Sequence, residues 1–542
     1  MGIEKVIIEK NTMPNYSIAK GENGKLYRFK GGIEGQEVVI RTGKLKGDYY
    51  KAKLIEITKK SPLETLDNGV NPDEMSGNKF ENLEYETELE LKKKMVNEVY
   101  EELYWEKEIP LNPSPVINGY RNKMEYTFGD SYLGGPLVLG MHKLGKFYEI
   151  ADYDGGSIVN DDFNIIREFT QTFFRDQGLK QYHKTKGEGS LKFFVIKYSF
   201  YENAFMLNLV TKTSDEITDN LLEKYIKEAL ELNLNGKIIS FFHTISDSIA
   251  DAIVPDKINH IWGEDHLTEE INGLKFNISP FSFFQPNPKG AEKLYNKAVE
   301  FAGDISGKTV FDLYSGTGTI SQIFAKKASH VIGVEIVEES VQKAKENAEI
   351  NNLTNVEFRA NDVLKEIDSL TQSPDIVVVD PPRAGIHQEA ISKIAKMGAT
   401  KIIYISCNPV TQVEDLKLFR EYGYKIEKIE AFDLFPKTAH VETVALLSKL
   451  NTEHHLDIEI GEDELSEIDF SKDATYGEIK KYVLDKYGLK VSSLYIAQIK
   501  RKHGLIEREN YNFSKKENQR VPNCPEEKEK AIEDALEHFG MI

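Results

Sequence analysis

The stretch Val310-Phe-Asp-Leu-Tyr314-Ser-Gly-Thr-Gly-Thr319 decides the fold. A short run of strand character enters a glycine-containing turn, and residues 319–327 then carry helical periodicity. Gly316 and Gly318 let the backbone come close to a ligand, and the helix that follows offers unpaired N–H groups. A second strand, Val331-Ile-Gly-Val-Glu335, ends in a carboxylate at the distance along the chain where an adenosine ribose diol is gripped. A Gly-x-Gly turn alone leaves NAD enzymes, nucleotide-binding proteins and methyltransferases open. The third glycine of the dinucleotide fingerprint is missing, since Ser321 stands there, and this favours the methyltransferase class.

Working outward, strands are predicted at 309–314, 330–335, 356–360, 375–380, 401–406, 425–433 and 441–447. Helices are predicted at 319–327, 340–351, 388–396 and 412–421. This alternation is an α/β pattern, a doubly wound Rossmann-like sheet whose ligands bind beyond the carboxyl ends of its strands. The third strand stops at Asn361-Asp362, whose carboxylate either accepts from an adenine amino group or belongs to a solvated turn. The fourth stops at Asp380-Pro-Pro-Arg383, where two prolines fix a turn that presents Asp380. The fifth stops at Ser406-Cys407-Asn408-Pro409. A lone cysteine is usually a small buried hydrophobe, but on this rim, beside a proline-fixed turn, Cys407 is placed for nucleophilic attack.

The chain has 542 residues, 40% apolar and 29% charged, which suits several soluble domains and excludes a fibrous or largely disordered chain. No apolar run reaches bilayer-spanning length and the first residues lack a signal-peptide pattern, so the cytoplasm is the expected location. Two cysteines, Cys407 and Cys524, cannot supply a four-cysteine metal site. The net charge of −19 argues against a polyanionic partner, but it is segregated: residues 1–60 hold 13 basic and 7 acidic side chains. Those sixty residues alternate as β-runs broken by glycine turns, a small barrel with Lys25, Arg28, Lys30, Lys51 and Lys53 beside Tyr27, Phe29, Tyr49 and Tyr50. Nucleic-acid-binding barrels use that mixture. Residues 61–112 read as a loop around 68–78 and then a helix at 81–107. Residues 113–275 read as an α+β middle domain with strands at 123–128, 191–198 and 203–210, and 276–450 as the catalytic domain. Residues 451–474 hold nine carboxylates against Lys472 and read as an acidic linker. Residues 475–542 form a basic helical appendage with two short helices at helix–turn–helix distance.

Together, five motifs resemble the S-adenosylmethionine-dependent RNA uracil-5-methyltransferases. They are Ser282-Phe-Phe-Gln285-Pro-Asn287, Asp312-Leu-Tyr-Ser-Gly-Thr-Gly318, Asp380-Pro-Pro-Arg383, Ser406-Cys-Asn-Pro409 and Asp433-Leu-Phe-Pro-Lys-Thr-Ala-His-Val-Glu442. The resemblance extends to a TRAM-like barrel through Gly31-Gly-Ile-Glu-Gly-Gln-Glu-Val38, and to Tyr120-Arg-Asn-Lys-Met-Glu125, so that it covers about residues 1–450. It implies cofactor contacts from Gln285, Tyr314, Glu335 and Asp380, a Cys407 nucleophile and a Glu442 base acting on a uridine of RNA. Ribosomal RNA is favoured over transfer RNA, with no obligate protein partner. Many members carry an iron–sulfur cluster held by four cysteines after the barrel; residues 61–90 contain none, so no cluster is expected here. The chain departs from the family again in its appendage, expected to be an RNA-binding accessory, and Cys524 reads as incidental. Two rivals stand beside this reading: an RNA cytosine-5-methyltransferase, and a non-catalytic RNA-binding or chaperoning protein on a methyltransferase scaffold.

Overall fold

The computed structural model describes residues 2–67, 77–132, 134–143, 149–152, 156–184, 187–250, 252–369, 373–450, 476–487, 489, 491, 493–503, 524–539 and 541–542. They fall into two compact units, Met1–Asn451 and Thr452–Ile542. Most of the loop expected at 68–78, all of the acidic linker at 451–474 and residues 504–523 of the appendage lie outside the described residues.

In the first unit, strands Ile3–Thr12, Tyr16–Lys20, Leu26–Lys30, Glu37–Lys46 and Tyr49–Lys59 close into a barrel. Period-two alternation sends Val6, Ile8, Tyr27, Phe29, Val38 and Ile40 into its core and leaves Lys30, Lys51 and Lys53 exposed. A cleft of about 730 Å³ is lined only by barrel residues, among them Tyr16, Arg28, Lys30, Tyr49 and Lys53. The middle of the unit is a seven-stranded sheet, in spatial order Lys257–Gly263, Lys237–Ile245, Ala204–Thr211, Leu191–Ser199, Lys123–Asp130, Leu137–His142 and Ile150–Ala151. An aromatic core of Phe163, Phe174, Phe194, Phe205 and Tyr225 packs this sheet against helices Asp161–Asp176 and Asp219–Ala229.

An eight-stranded sheet carries the motifs. Its order is Val356–Ala360, His330–Glu335, Thr309–Leu313, Ile376–Val379, Lys401–Ser406, Glu442–Lys449, Tyr424–Phe432 and Leu111–Asn112. The first five strands run parallel, Glu442–Lys449 is antiparallel to both of its neighbours, and all seven strands predicted from sequence are present. Both faces are buried, which is why these strands read as continuous apolar runs. Phe311, Leu313, Val377, Val379 and Ile402 face helices Tyr85–Tyr100, Gln388–Lys396 and Pro409–Glu421, while Val310, Ile376, Val378 and Ile403 face helices Pro288–Ala302 and Thr319–Ala325.

Two features depart from the sequence reading. Helix Tyr85–Tyr100 and strand Leu111–Asn112, in the stretch read as loop and helix, are integral layers of this sheet. The ribbon Leu267–Ile271 and Leu274–Ile278 straddles the expected boundary at 275, because Ile271, Leu274 and Phe276 pack beneath helix Pro288–Ala302. A further helix, Val363–Ser369, was not anticipated; it is one short amphipathic turn-pair that periodicity cannot separate from loop.

The second unit contains helices Tyr476–Tyr487, Ser493–Lys502 and Glu526–His538 around Ile479, Val483, Ile496, Ile499, Ile532 and Leu536, with Cys524 packed at the margin. Part of its positive charge is neutralised internally, since Lys486 meets Asp534 at 2.8 Å and Lys502 meets Glu533 at 3.0 Å. Among the described residues of the chain, no helix is long and apolar enough to cross a membrane.

The two glycines of the 315–318 turn differ in what surrounds them. Both have positive φ, 54° at Gly316 and 79° at Gly318. A Cβ at Gly318 would lie 2.5 Å from the Phe358 ring and 2.9 Å from the Ala344 methyl, whereas one at Gly316 would meet nothing within 4 Å. Gly318→Ala is expected to cost on the order of 1–3 kcal/mol through overpacking added to backbone strain, and Gly316→Ala about 1 kcal/mol through strain alone. Thermal melts of the two variants check this; equal midpoints would mean that the Phe358 ring yields without cost.

Candidate active site

The topology reverses direction at the pair Thr309–Leu313 and Ile376–Val379, with Leu313 registered against both Val334 and Val379. The residues that follow, Tyr314 and Asp380, therefore emerge side by side, and the Asp380 N–H points to the Leu313 carbonyl at 3.5 Å. Ser406 is registered against Thr443 on the antiparallel strand, so Cys407, one residue after Ser406, and Glu442, one residue before Thr443, fall at the next position of that register, and the Glu442 charge acts on the Cys407 thiol. Four of the residues singled out from sequence thus meet on one rim because of strand register.

On the glycine-loop side, the two Glu335 carboxylate oxygens accept the Gly316 N–H at 3.1 Å and the Val337 N–H at 3.0 Å. Tyr314 holds φ at 68°, a left-handed conformation uncommon for a non-glycine residue, and burial followed by the charges of Asp362 and Asp415 pushes its phenol up to about 12. Asp312 lies 1% exposed. Ser321 Oγ donates to one of its oxygens at 2.5 Å, while the other, like Ser315 Oγ, is buried with no hydrogen-bond partner. Burial pushes the Asp312 carboxyl up to about 7 against the Ser321 hydrogen bond, with Glu335 adding to the rise. Asp362 Oδ1 accepts the Leu364 and Lys365 N–H groups and so caps the Val363–Ser369 helix, a role that neither of its two readings named.

Gln285 belongs to a loop tied to the middle sheet: Asn122 Nδ2 donates to its carbonyl at 3.1 Å, and the buried Lys197 Nζ donates to the carbonyls of Ser279 and Ser282 at 2.7 and 2.9 Å. Tyr295, 3% exposed on helix Pro288–Ala302, has its phenol raised well above the usual range by burial and by the charge of Asp380, with Gln285 opposing the rise and Glu442 and Asp312 adding to it. Helical spacing marks Tyr295 only as core, so the sequence carried no sign that its hydroxyl reaches the site.

Around Cys407, which is half-buried, burial and then the charges of Glu442 and Asp380 push the thiol up to about 11, and the Arg383 guanidinium pulls it back. Glu442, 5% exposed, is raised well above the ordinary carboxylate range by burial and by Asp380, again opposed by Arg383. Asp380 is pushed up to about 7 by burial and by Asp312. The turns that present these groups are stitched together: Asn408 Nδ2 donates to the Arg383 carbonyl at 3.1 Å, and Ser406 Oγ accepts the Asn408 N–H at 3.1 Å. Arg383 Nη2 lies 3.3 Å from His440 Nδ1, and burial with the Arg383 charge lowers the imidazole to about 4, so it is neutral and accepts. His440 sits in a quoted motif, but no role could be read for it without this contact. Among the described residues, no group of three or more His, Cys, Asp or Glu side chains could hold a metal ion.

Residues 258–450 match the model of the tRNA (uracil-5-)-methyltransferase family. An RNA methyltransferase of Clostridium tetani is 41% identical over 447 residues, which span 82% of this chain and 97% of that protein. Another, from Caldanaerobacter subterraneus subsp. tengcongensis, is 41% identical over 450 residues, 82% of this chain and 99% of that one. The crystal structure of the Pyrococcus abyssi tRNA (uracil-54, C5)-methyltransferase in complex with S-adenosyl-L-homocysteine aligns with a TM-score of 0.64 at 26% identity. That alignment covers 82% of this chain and 100% of the archaeal one. With its sheet order, its glycine turn and its rim of carboxylates accounted for, the chain belongs to the RNA uracil-5-methyltransferase family and is an S-adenosylmethionine-dependent RNA methyltransferase.

Proposed function

We propose that this enzyme methylates carbon 5 of a uridine through a covalent adduct between Cys407 and carbon 6, with Glu442 removing the carbon-5 proton, and that it does so on ribosomal RNA in the cytoplasm. The observation that carries the mechanism is the register that sets Cys407 opposite Glu442, with Asp380 and Arg383 acting electrostatically on both. The basic, aromatic-lined barrel supports RNA as the partner, and the choice of ribosomal RNA rests on the resemblance, in which barrel-bearing members are commonly ribosomal enzymes. Transfer RNA is the rival, favoured by the archaeal relative's own substrate.

The residues around the glycine turn fit the cofactor. Two buried oxygens lack partners, Gly316 opens onto free space, and carboxylates of Glu335 and Asp380 flank the turn, so acceptors are available for an amine and a ribose diol. Gln285, Tyr314, Glu335 and Asp380 would hold it. When bound, S-adenosylmethionine supplies an electrophilic methyl group on a sulfonium.

Carbon 5 of uracil is a weak nucleophile. The Cys407 thiolate adds to carbon 6, and the ring becomes an enolate able to accept a methyl group at carbon 5. Glu442 then takes the carbon-5 proton; the freed electron pair restores the double bond between carbons 5 and 6 and expels the thiolate. A carboxylate raised by burial is a stronger base, which suits that step. Arg383 favours the ionised forms of both groups. The base must leave its stack to reach this rim, as expected for a loop or bulge of RNA.

The test is a covalent trap. RNA containing 5-fluorouridine is expected to give a denaturant-stable adduct with the wild type and none with Cys407→Ala, since fluorine cannot leave as the proton does. An adduct that survives Cys407→Ala would overturn the mechanism, 5-methylcytidine in the product would favour the cytosine enzyme, and transfer RNA in the trapped fraction would reassign the substrate. Asp312 and Asp380, both near 7, must lose their protons to face a cationic cofactor, so its affinity rises with pH. Calorimetric titration of S-adenosylmethionine should weaken by roughly tenfold between about pH 8 and about pH 6, less so in Asp380→Asn. Arg383→Met removes a cation that favours the thiolate; iodoacetamide alkylation of Cys407 at a fixed pH should slow by roughly threefold to tenfold, and an unchanged rate would mean solvent screens the guanidinium.

A further inference from the structure

Between strands Tyr424–Phe432 and Glu442–Lys449 the chain crosses the rim without regular structure, and this segment delivers Glu442 to the site. It is anchored from helix Tyr85–Tyr100 by a wholly buried ion cluster. Lys92 is 0% exposed, and its Nζ donates to Glu88 Oε1 at 2.6 Å, to Asp433 Oδ1 at 2.7 Å and to the Phe435 carbonyl at 3.1 Å. Glu88 in turn accepts the Lys437 N–H at 2.7 Å, and Asp433 accepts the Tyr85 hydroxyl at 2.9 Å. Lys437 Nζ donates to the Leu83 carbonyl at 3.0 Å, and the Tyr120 hydroxyl donates to the Pro436 carbonyl at 2.9 Å. Three donors of one ammonium thus end on the first turn of the helix and on two points of the segment.

A buried ion cluster of this kind adds little net stability over an apolar replacement of the same volume, because desolvation offsets the attraction; what it adds is direction. Apolar contacts let a segment slide, whereas an ammonium with three short hydrogen bonds tolerates one placement. The placement is transmitted over a short distance, for His440 and Val441 alone separate the loop's Ala439, packed on Phe80, Leu83 and Leu91, from Glu442. Burial opposes the charge on Lys92, but the Asp433 and Glu88 carboxylates outweigh it and hold the ammonium protonated.

We propose that Lys92 is a positioning residue for the base: by bolting the 433–439 segment to helix Tyr85–Tyr100 it holds Glu442 opposite Cys407 for removal of the carbon-5 proton. This rests on the covalent mechanism proposed above. In that mechanism a misplaced base leaves attack and methylation possible but stops the release step, in which the carbon-5 proton passes to Glu442 and the C–H electron pair expels the thiolate. The methylated adduct then accumulates on ordinary uridine.

The full-length Lys92→Met chain, incubated with S-adenosylmethionine and unmodified substrate RNA, is expected to build up a denaturant-stable protein–RNA adduct. Its turnover should fall by roughly tenfold to a hundredfold while its affinity for S-adenosylmethionine stays within about twofold. Glu442→Gln serves as the reference for a missing base. Tyr120→Phe removes one hydroxyl from the same segment and should show the same adduct to a smaller extent; it decides the matter if Lys92→Met does not fold. Adduct in Glu442→Gln but in neither Lys92→Met nor Tyr120→Phe would overturn the positioning role. Absence of adduct in Glu442→Gln and with 5-fluorouridine RNA would instead overturn the covalent mechanism, and this proposal with it.

Discussion

Three carboxyl groups gather at one rim of the sheet: burial raises Asp312, Asp380 and Glu442 alike, the charge of Asp312 raises Asp380, and that of Asp380 raises Glu442. No apolar core favours such a gathering, since burial penalises each charge and each neighbour penalises it again. Strand register imposes it: Leu313 is paired with Val379 and Ser406 with Thr443, and nothing short of breaking the sheet separates the residues adjacent to these pairs. The alternating apolar faces of those strands hold the register, because a slip of one residue would turn Val377 and Val379 from one helical layer into the other. The strain is eased by Arg383, from the same turn as Asp380, whose charge opposes the rise at Glu442 and Cys407.

The same rim shows how the flanking parts of the chain serve the sheet. Helix Tyr85–Tyr100 contributes Met95, Val96 and Tyr100 to the layer beneath the strands and Lys92 to the segment above Glu442. The Tyr100 hydroxyl bonds Gln412, which also accepts from Thr443, so the helix reaches the strand of Glu442 at a second place. The middle sheet reaches the Ser279–Gln285 loop through Lys197, whose Nζ donates to the carbonyls of Ser279 and Ser282 and whose pKa burial lowers well below the usual lysine value. A lysine kept there at that cost fixes where the Ser279–Ser282 turn lies, and Gln285 follows from it.

Much of this was legible in the sequence. Val310 to Thr319 and the strands after it declare a doubly wound sheet because both faces are covered and the apolar runs are therefore unbroken. Glu335, Asp380 and Cys407 could be picked out because strand ends are where such sheets bind ligands, and the strand end, unlike the contact, is a property of local pattern. Glu442 came only through the resemblance, since an antiparallel strand that begins with its functional residue gives no local signal. The ribbon at Leu267–Ile278 and the edge strand Leu111–Asn112 were misassigned for a related reason: their partners lie far along the chain, and no window of sequence contains the pairing.

The sequence by itself determined the fold class, the position of the glycine turn and the chemical types at the strand ends, all of which follow from hydrophobic period and from residues whose backbone preferences are local. Only the tertiary structure decided that Cys407 faces Glu442, that Tyr295 and His440 belong to the site, that Asp362 caps a helix, and that Lys92 binds a segment 341 residues away. Those facts are distances between side chains of different elements, and burial, which raises Asp312, Asp380, Cys407 and Glu442, exists only once the layers have packed.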